Sequence, residues 1–237
     1  MSLNYMVGGQ MVQHTPKLLD PNTGQFVDPA QIAIWDGTKF VKVWPEMEPY
    51  EETVIISSVG AFAIPVPPWA IWADVAALGG GGGGGGRPGA STNIGKGGSA
   101  AVWSYTVGRD VSGMAELRGS VGAAGAPGPS SSPFDGGIGG HSWVEASSWA
   151  FSYGASGGAG NTGSPATAGG SVTAVTPVAG FVLPTASGGA SGTGSIAPGD
   201  ASGPGAGGGG AGGGFVNPAR PGGSGGRGEA RIRFRNF

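Results

Sequence analysis

The sequence predicts an all-β protein with a small N-terminal β-hairpin module over residues 1–50, followed over 51–237 by a glycine-rich β-sandwich, jelly-roll-like in plan. Three observations lead there. No segment keeps a helical period, whereas short apolar or alternating runs recur along the whole chain, separated by Gly- and Pro-rich stretches. An Asp-Gly pair sits between two alternating runs near the start, and the final segment alternates apolar residues with arginine at period two.

In chain order, Gln31-Ile32-Ala33-Ile34-Trp35, then Asp36-Gly37, then Thr38-Lys39-Phe40-Val41-Lys42-Val43-Trp44 reads as a hairpin, because Asp and Gly both tolerate the positive φ of a type I′ turn. An earlier pair of runs, Leu18-Leu19 and Phe26-Val27, flanks the turn signal Asp20-Pro21-Asn22-Thr23-Gly24. After an acidic linker, Glu46 to Glu52, come the β-branched run Thr53 to Val59 and the apolar run Trp69 to Leu78. Beyond Leu78 the candidate strands are Ser99 to Val107, Ala115 to Val121, Ser142 to Ser152, Ser171 to Leu183 and Glu229 to Phe237. In the last of these, Ile232 and Phe234 should face a core and Arg231, Arg233 and Arg235 the other side. Those arginines read as a solvated face or as inter-chain pairs, with phosphate or anionic-glycan binding as the sharper alternative.

Composition excludes several classes. Leu, Ile, Val and Phe together make up 44 of 237 residues, little for a chain of this length, and 54 Gly with 19 Pro would suit disorder. The net charge of only −2 and the seven Trp argue instead for an ordered protein that gains core from aromatics or from an intersubunit interface. With no Cys and only two His there is neither a disulfide framework nor a three-histidine zinc site, and no cofactor is expected. Near-neutral charge argues against a nucleic-acid partner. The most apolar stretch, Val59 to Leu78, holds three prolines and Asp74, and the N-terminus lacks a basic head before an apolar run, so neither membrane insertion nor a secretion signal is expected.

Five glycines precede residue 79 and 49 follow it. Three readings of the later ones compete: loops joining the strands of a sandwich, extended threefold helices packed side by side at contacts only Gly permits, and plain linkers. The recurrence of aromatic-bearing strands between the runs favours the loops.

Enzyme motifs arise in such a chain by accident. Gly154-Ala155-Ser156-Gly157-Gly158 and Gly222-Gly223-Ser224-Gly225-Gly226 satisfy Gly-x-Ser-x-Gly without the strand-turn-helix context of a nucleophile elbow. Gly89 to Lys96 fails as a phosphate loop in spacing and in its Gly97, and Gly203 to Gly208 lacks a βαβ unit. His141 reads as a polar strand-start residue, and the six acids after Leu78 are scattered. A non-enzymatic protein is expected, with a glycan depolymerase as the remote alternative.

The order Val66-Pro67-Pro68-Trp69-Ala70, apolar strand, Leu78 into polyglycine, Gly95-Lys96-Gly97-Gly98, Val121-Gly122-Ala123-Ala124-Gly125, Gly139-Gly140-His141-Ser142, Ser156-Gly157-Gly158-Ala159-Gly160, Gly207 to Gly214, and Gly225-Gly226-Arg227-Gly228 before Arg231-Ile232-Arg233 resembles the glycine-rich minor tail proteins of bacteriophages infecting actinobacteria. The openings Met6-Val7-Gly8-Gly9-Gln10-Met11-Val12 and Ile34-Trp35-Asp36-Gly37-Thr38 are also similar to modules that begin such proteins. The resemblance implies a virion component of the tail tip or fibre, assembled in the host cytoplasm and built with other phage tail proteins. It further implies a homo-oligomer, a trimer by analogy with fibres, that meets a glycan or glycolipid of the host envelope. A more distant similarity is to the adhesin tips of T-even-like phages, which use polyglycine helices, and a compositional one is to the Gly-Ala-rich surface proteins of mycobacteria. Two loop aromatics, Phe134 and Phe215, are candidate host-surface contacts, or else pins that hold their loops to the core.

Overall fold

A computed structural model describes residues 3–7, 10–14, 18–19, 26–27, 32–35, 38, 40–44, 49–145, 148–162 and 165–237. The chain divides into two compact units, Met1–Tyr50 and Glu51–Phe237. The first unit holds three antiparallel pairs: β1 (Leu3–Val7) with β2 (Gln10–His14), β3 (Leu18–Leu19) with β4 (Phe26–Val27), and β5 (Ile32–Trp35) with β6 (Phe40–Trp44). The turns expected at Asp20 to Gly24 and at Asp36-Gly37 lie outside the described residues.

The second unit is a β-sandwich. One sheet runs in the order β10 (Ser104–Asp110), β9 (Trp72–Leu78), β16 (Glu229–Arg235), β7 (Glu51–Ile56), and the other β13 (Ala150–Ser152), β12 (Ser142–Val144), β11 (Glu116–Val121), β8 (Gly60–Pro65). The described residues are thus all-β, as the sequence predicts. Because β11, β12 and β13 are neighbours in one sheet, consecutive strands do not alternate between sheets as they would in a jelly roll. The core between the sheets takes Val75 from β9, Leu117 and Val121 from β11, Val144 from β12, and Ile232 and Phe234 from β16. The two expected strands Ser142 to Ser152 and Ser171 to Leu183 are each a hairpin, the second being β14 (Val175–Val178) with β15 (Phe181–Leu183). Its two-residue turn places Gly180 at φ 81°, where a side chain would be strained.

That hairpin and three carboxylates correct the reading of the β16 arginines as a solvated face, since each arginine has partners within the chain. Arg233 and Arg231 donate to the carbonyls of Ala179 and Val182 and pair with Glu51 and Glu229 respectively, and Arg235 forks onto Asp74 at 2.9 and 3.1 Å. Asp74 is fully buried; it also faces Arg233 at 3.5 Å and accepts from the Gly108 amide at 2.7 Å, presented by a bulge in β10 where Gly108 sits at φ 67°. Beneath the hairpin Leu78, Trp103, Phe181 and Leu183 form a second core with Ala206.

The glycine runs overturn the loop reading. Segment 79–86 leaves β9 and makes no bond within itself. Its amides donate in threes: Gly80, Gly83 and Gly86 to the carbonyls of Gly140, Gly137 and Phe134; Gly81 and Gly84 to Gly226 and Gly223; Gly82 and Gly85 to Ser99 and Lys96. Its carbonyls accept in threes from 125 and 128, from 155, 158 and 161, and from 208 and 211, all at 2.7–3.0 Å. A repeat of three with only lateral bonds defines an extended threefold helix of the polyglycine II kind, here surrounded by six others. Segment 205–213 is a second such centre, bonded to segments around 79–86, 95–101, 167–170, 187–192, 199 and 222–228. Two adjacent centres in hexagonal packing share two neighbours and so have eight around them; with the centres that makes ten segments, the number found among the described residues.

The reason these positions are glycine is the missing Cβ. A Cβ built at Gly80, Gly81 or Gly82 would lie on the carbonyl oxygen of Ala123, Ala206 or Ser156, far inside van der Waals contact. Segments at the rim have free rows, which carry Ala, Ser and Pro: in 122–128 the buried residues include Gly122, Gly125 and Gly128, while Ala123, Ala124, Ala126 and Pro127 are exposed.

Candidate functional site

Each passage from sheet to lattice is capped. Ser152 Oγ accepts the Gly79 amide at 2.8 Å, Ser142 Oγ that of Gly122 at 2.9 Å, and His141 Nδ1 that of Gly154 at 2.9 Å. His141 also packs on the rings of Phe151 and Tyr153. Two acids serve the lattice likewise, Asp135 accepting from the Gly160 amide and Asp200 from that of Ser224, while Glu145 accepts from the Arg118 amide of β11 in the sandwich. No group of His, Asp or Glu among the described residues could hold a metal ion. Ser156 and Ser224, the serines of the two Gly-x-Ser-x-Gly matches, sit within lattice segments, Ser156 beside Ser99 Oγ at 3.0 Å.

Bond direction gives the lattice polarity. Segment 79–86 runs parallel to 122–128, 154–161 and 205–213, all leaving the sandwich, and antiparallel to 95–101, 134–140 and 220–228, all returning to it. The described turnarounds therefore gather at the far end of the lattice: 87–94, 129–133, 193–197 and 214–219, with Asn161 and Thr162 beside them. At roughly 3.1 Å per residue, a run of eight residues places that end about 25 Å from the sheets.

The loops there are cross-tied. Ala90 donates to the Asn217 carbonyl at 3.0 Å, Gly214 to Ser91 at 3.2 Å, Asn93 Nδ2 to Asn161 Oδ1 at 2.9 Å, and Arg220 Nη2 to the Ser195 carbonyl at 2.9 Å. Ala90 and Asn161 hold φ of 48° and 50°, and such backbone persists only where the surroundings enforce it. Ile196, Phe215 and Val216 are exposed by 63, 73 and 92%, so three large apolar side chains stand on the tip with little cover. Phe134 differs: it is half-buried, its carbonyl accepts from Gly86 at 2.7 Å, and its Cβ occupies the space a side chain at Gly160 would need. Sequence reasoning missed Ile196, Val216 and Arg220 at this end, since nothing in a glycine-rich linear sequence shows which turnarounds converge.

Where residues 100–104 and 151–155 pass between sheet and lattice, a groove of about 360 Å³ is lined by Val102, Trp103, Phe151, Ser152 and Tyr153. Among the described residues no helix is long and apolar enough to cross a membrane.

The described residues are thus all-β, and the second unit is a sandwich joined to a hexagonal glycine lattice. Residues 56–235 match the glycine-rich domain family, and the chain belongs to it. No curated protein matches the chain.

Proposed function

We propose that this is a structural, non-enzymatic virion protein of a phage tail tip or fibre, whose distal loops bind the host surface. The observation that carries the reading is the polarity of the second unit. The chain enters it at Glu51, which pairs with Arg235 at the end of the sheet away from the lattice, and the turnarounds gather at the other end. Loops on a rigid scaffold are where recognition is usually placed, and a lattice bonded in three directions is such a scaffold. Exposed Phe215, Val216 and Ile196 give the tip an apolar contact, and glycine backbone lets amides and carbonyls reach sugar hydroxyls, which suits an envelope glycan or glycolipid. The first unit then attaches to other tail proteins.

Mass spectrometry of purified virions should find the chain. Its absence there, with presence in the envelope of uninfected cells, would instead make it a bacterial surface protein. Release of sugars from host envelope by the purified chain would revive the depolymerase alternative.

Phe215→Ala is expected to lower adsorption of phage to host cells and leave the melting temperature unchanged, because the ring is mostly solvated. Phe134→Ala should lower stability by about 1–2 kcal/mol, short of the 3–5 expected for a fully buried ring, and chemical denaturation reads the difference. Unaltered adsorption in the double variant would remove both from the contact surface. We further propose a trimer, in keeping with fibre symmetry, and sedimentation showing a stable monomer at micromolar concentration would refute it.

A further inference from the structure

We infer that Arg87 and Arg220 form a binding site for a phosphate-type oxyanion at the tip of the lattice. Arg87 follows the last residue of the central run 79–86 and pairs with Arg220 in an antiparallel bridge, with both backbone bonds made at 2.9 and 3.1 Å. Residues directly opposed across such a bridge project to the same face. Two cations are thus set side by side, and neither forms an ion pair among the described residues, although every arginine of β16 has a carboxylate.

Arg87 is 0% exposed, and only its Nη1 has a partner, the Pro88 carbonyl at 3.0 Å. Its Nε and Nη2 are buried with no acceptor, and so is Nε of Arg220, whose Nη2 is held by the Ser195 carbonyl. Burial and the neighbouring Arg220 charge both push the Arg87 pKa down, the first more strongly. Nε and Nη2 are the two parallel donors on one edge of a guanidinium, the edge that grips two oxygens of one oxyanion. Nε of Arg220, on the opposed residue, supplies a third unpartnered donor. Three unpartnered donors on two guanidinium groups exceed the two oxygens of a carboxylate and suit an oxyanion with three or more. A buried, unneutralised charge is costly, and an anion between the pair removes the cost along with the repulsion. Arg220 is half-exposed, which leaves the pair open to solvent on its side. The site does not depend on the adhesion reading.

The test uses the full chain, melted and titrated calorimetrically in inorganic phosphate against potassium chloride of matched ionic strength. Phosphate should raise the melting temperature and give a saturable heat. Arg87→Met should melt higher than the parent in chloride and lose the response to phosphate, and Arg220→Met should bind about ten- to a hundredfold more weakly. Identical behaviour of the parent chain in phosphate and chloride overturns the proposal, as does an equal response to acetate. If Arg87→Met fails to fold, the parent chain and Arg220→Met decide alone. Methyl phosphate acting as strongly as inorganic phosphate assigns the site to an esterified group such as an envelope phosphoglycan; a response to inorganic phosphate only assigns it to a free ion that ties the loops together.

Discussion

Gly82→Ala is expected to abolish folding of the second unit, a loss of at least about 4 kcal/mol, beyond ordinary overpacking. The added methyl would stand on the Ser156 carbonyl, a backbone group fixed by its own bond from the Ser99 amide at 2.9 Å. Nothing at this site is a flexible side chain that could move aside. Gly82 also donates to Ser99 and accepts from Gly208, so a shift that relieves one contact breaks two bonds. Ala124→Ser, on an exposed row of a rim segment, should change stability by no more than about 0.5 kcal/mol. Denaturant unfolding followed by tryptophan fluorescence separates the two outcomes, and a Gly82→Ala protein as stable as the parent would refute the lattice.

Asp74→Asn is the second large effect, at about 3–5 kcal/mol. The carboxylate is fully buried and accepts from Arg235 twice and from Gly108 once, with Arg233 at 3.5 Å. Asn keeps the volume but removes the charge and turns an NH₂ toward a guanidinium, leaving Arg235 without its anion and Arg233 with Glu51 alone. For a unit of this size the melting temperature should fall by roughly 10 °C in calorimetry. Glu51→Gln, at the exposed side of the same cluster, should cost well under half as much, because solvent screens what it loses. Equal losses would mean that burial is not what sets the cost.

Much of the sandwich is legible in the linear sequence, because a strand's side chains alternate at period two whatever it pairs with. Ile232 and Phe234 announce the core face of β16, and the run ending at Leu78 announces β9. β8 is hidden at the start of the longer apolar stretch Val59 to Leu78, ending on its first proline, and the turns within 142–152 and 171–183 carry no Asn-Gly or Asp-Gly signal to split each into a hairpin.

The glycines show the division most clearly. By itself the sequence determined that this chain is all-β, that the glycine runs at 79–86 and 207–214 lie where side chains are intolerable or unneeded, and that Ile232 and Phe234 face the sandwich core. Only the tertiary structure decided between a mobile loop and a lattice, since a threefold helix has no internal hydrogen bond and so leaves no local signature. The bonds of segment 79–86 reach partners 11 to 145 residues away, from Gly85 to Lys96 at the near end to Gly81 and Gly226 at the far end. The same long-range closure sets Arg87 against Arg220 and Asp74 against Arg235, pairings that follow from which strands and segments became neighbours rather than from any spacing along the chain.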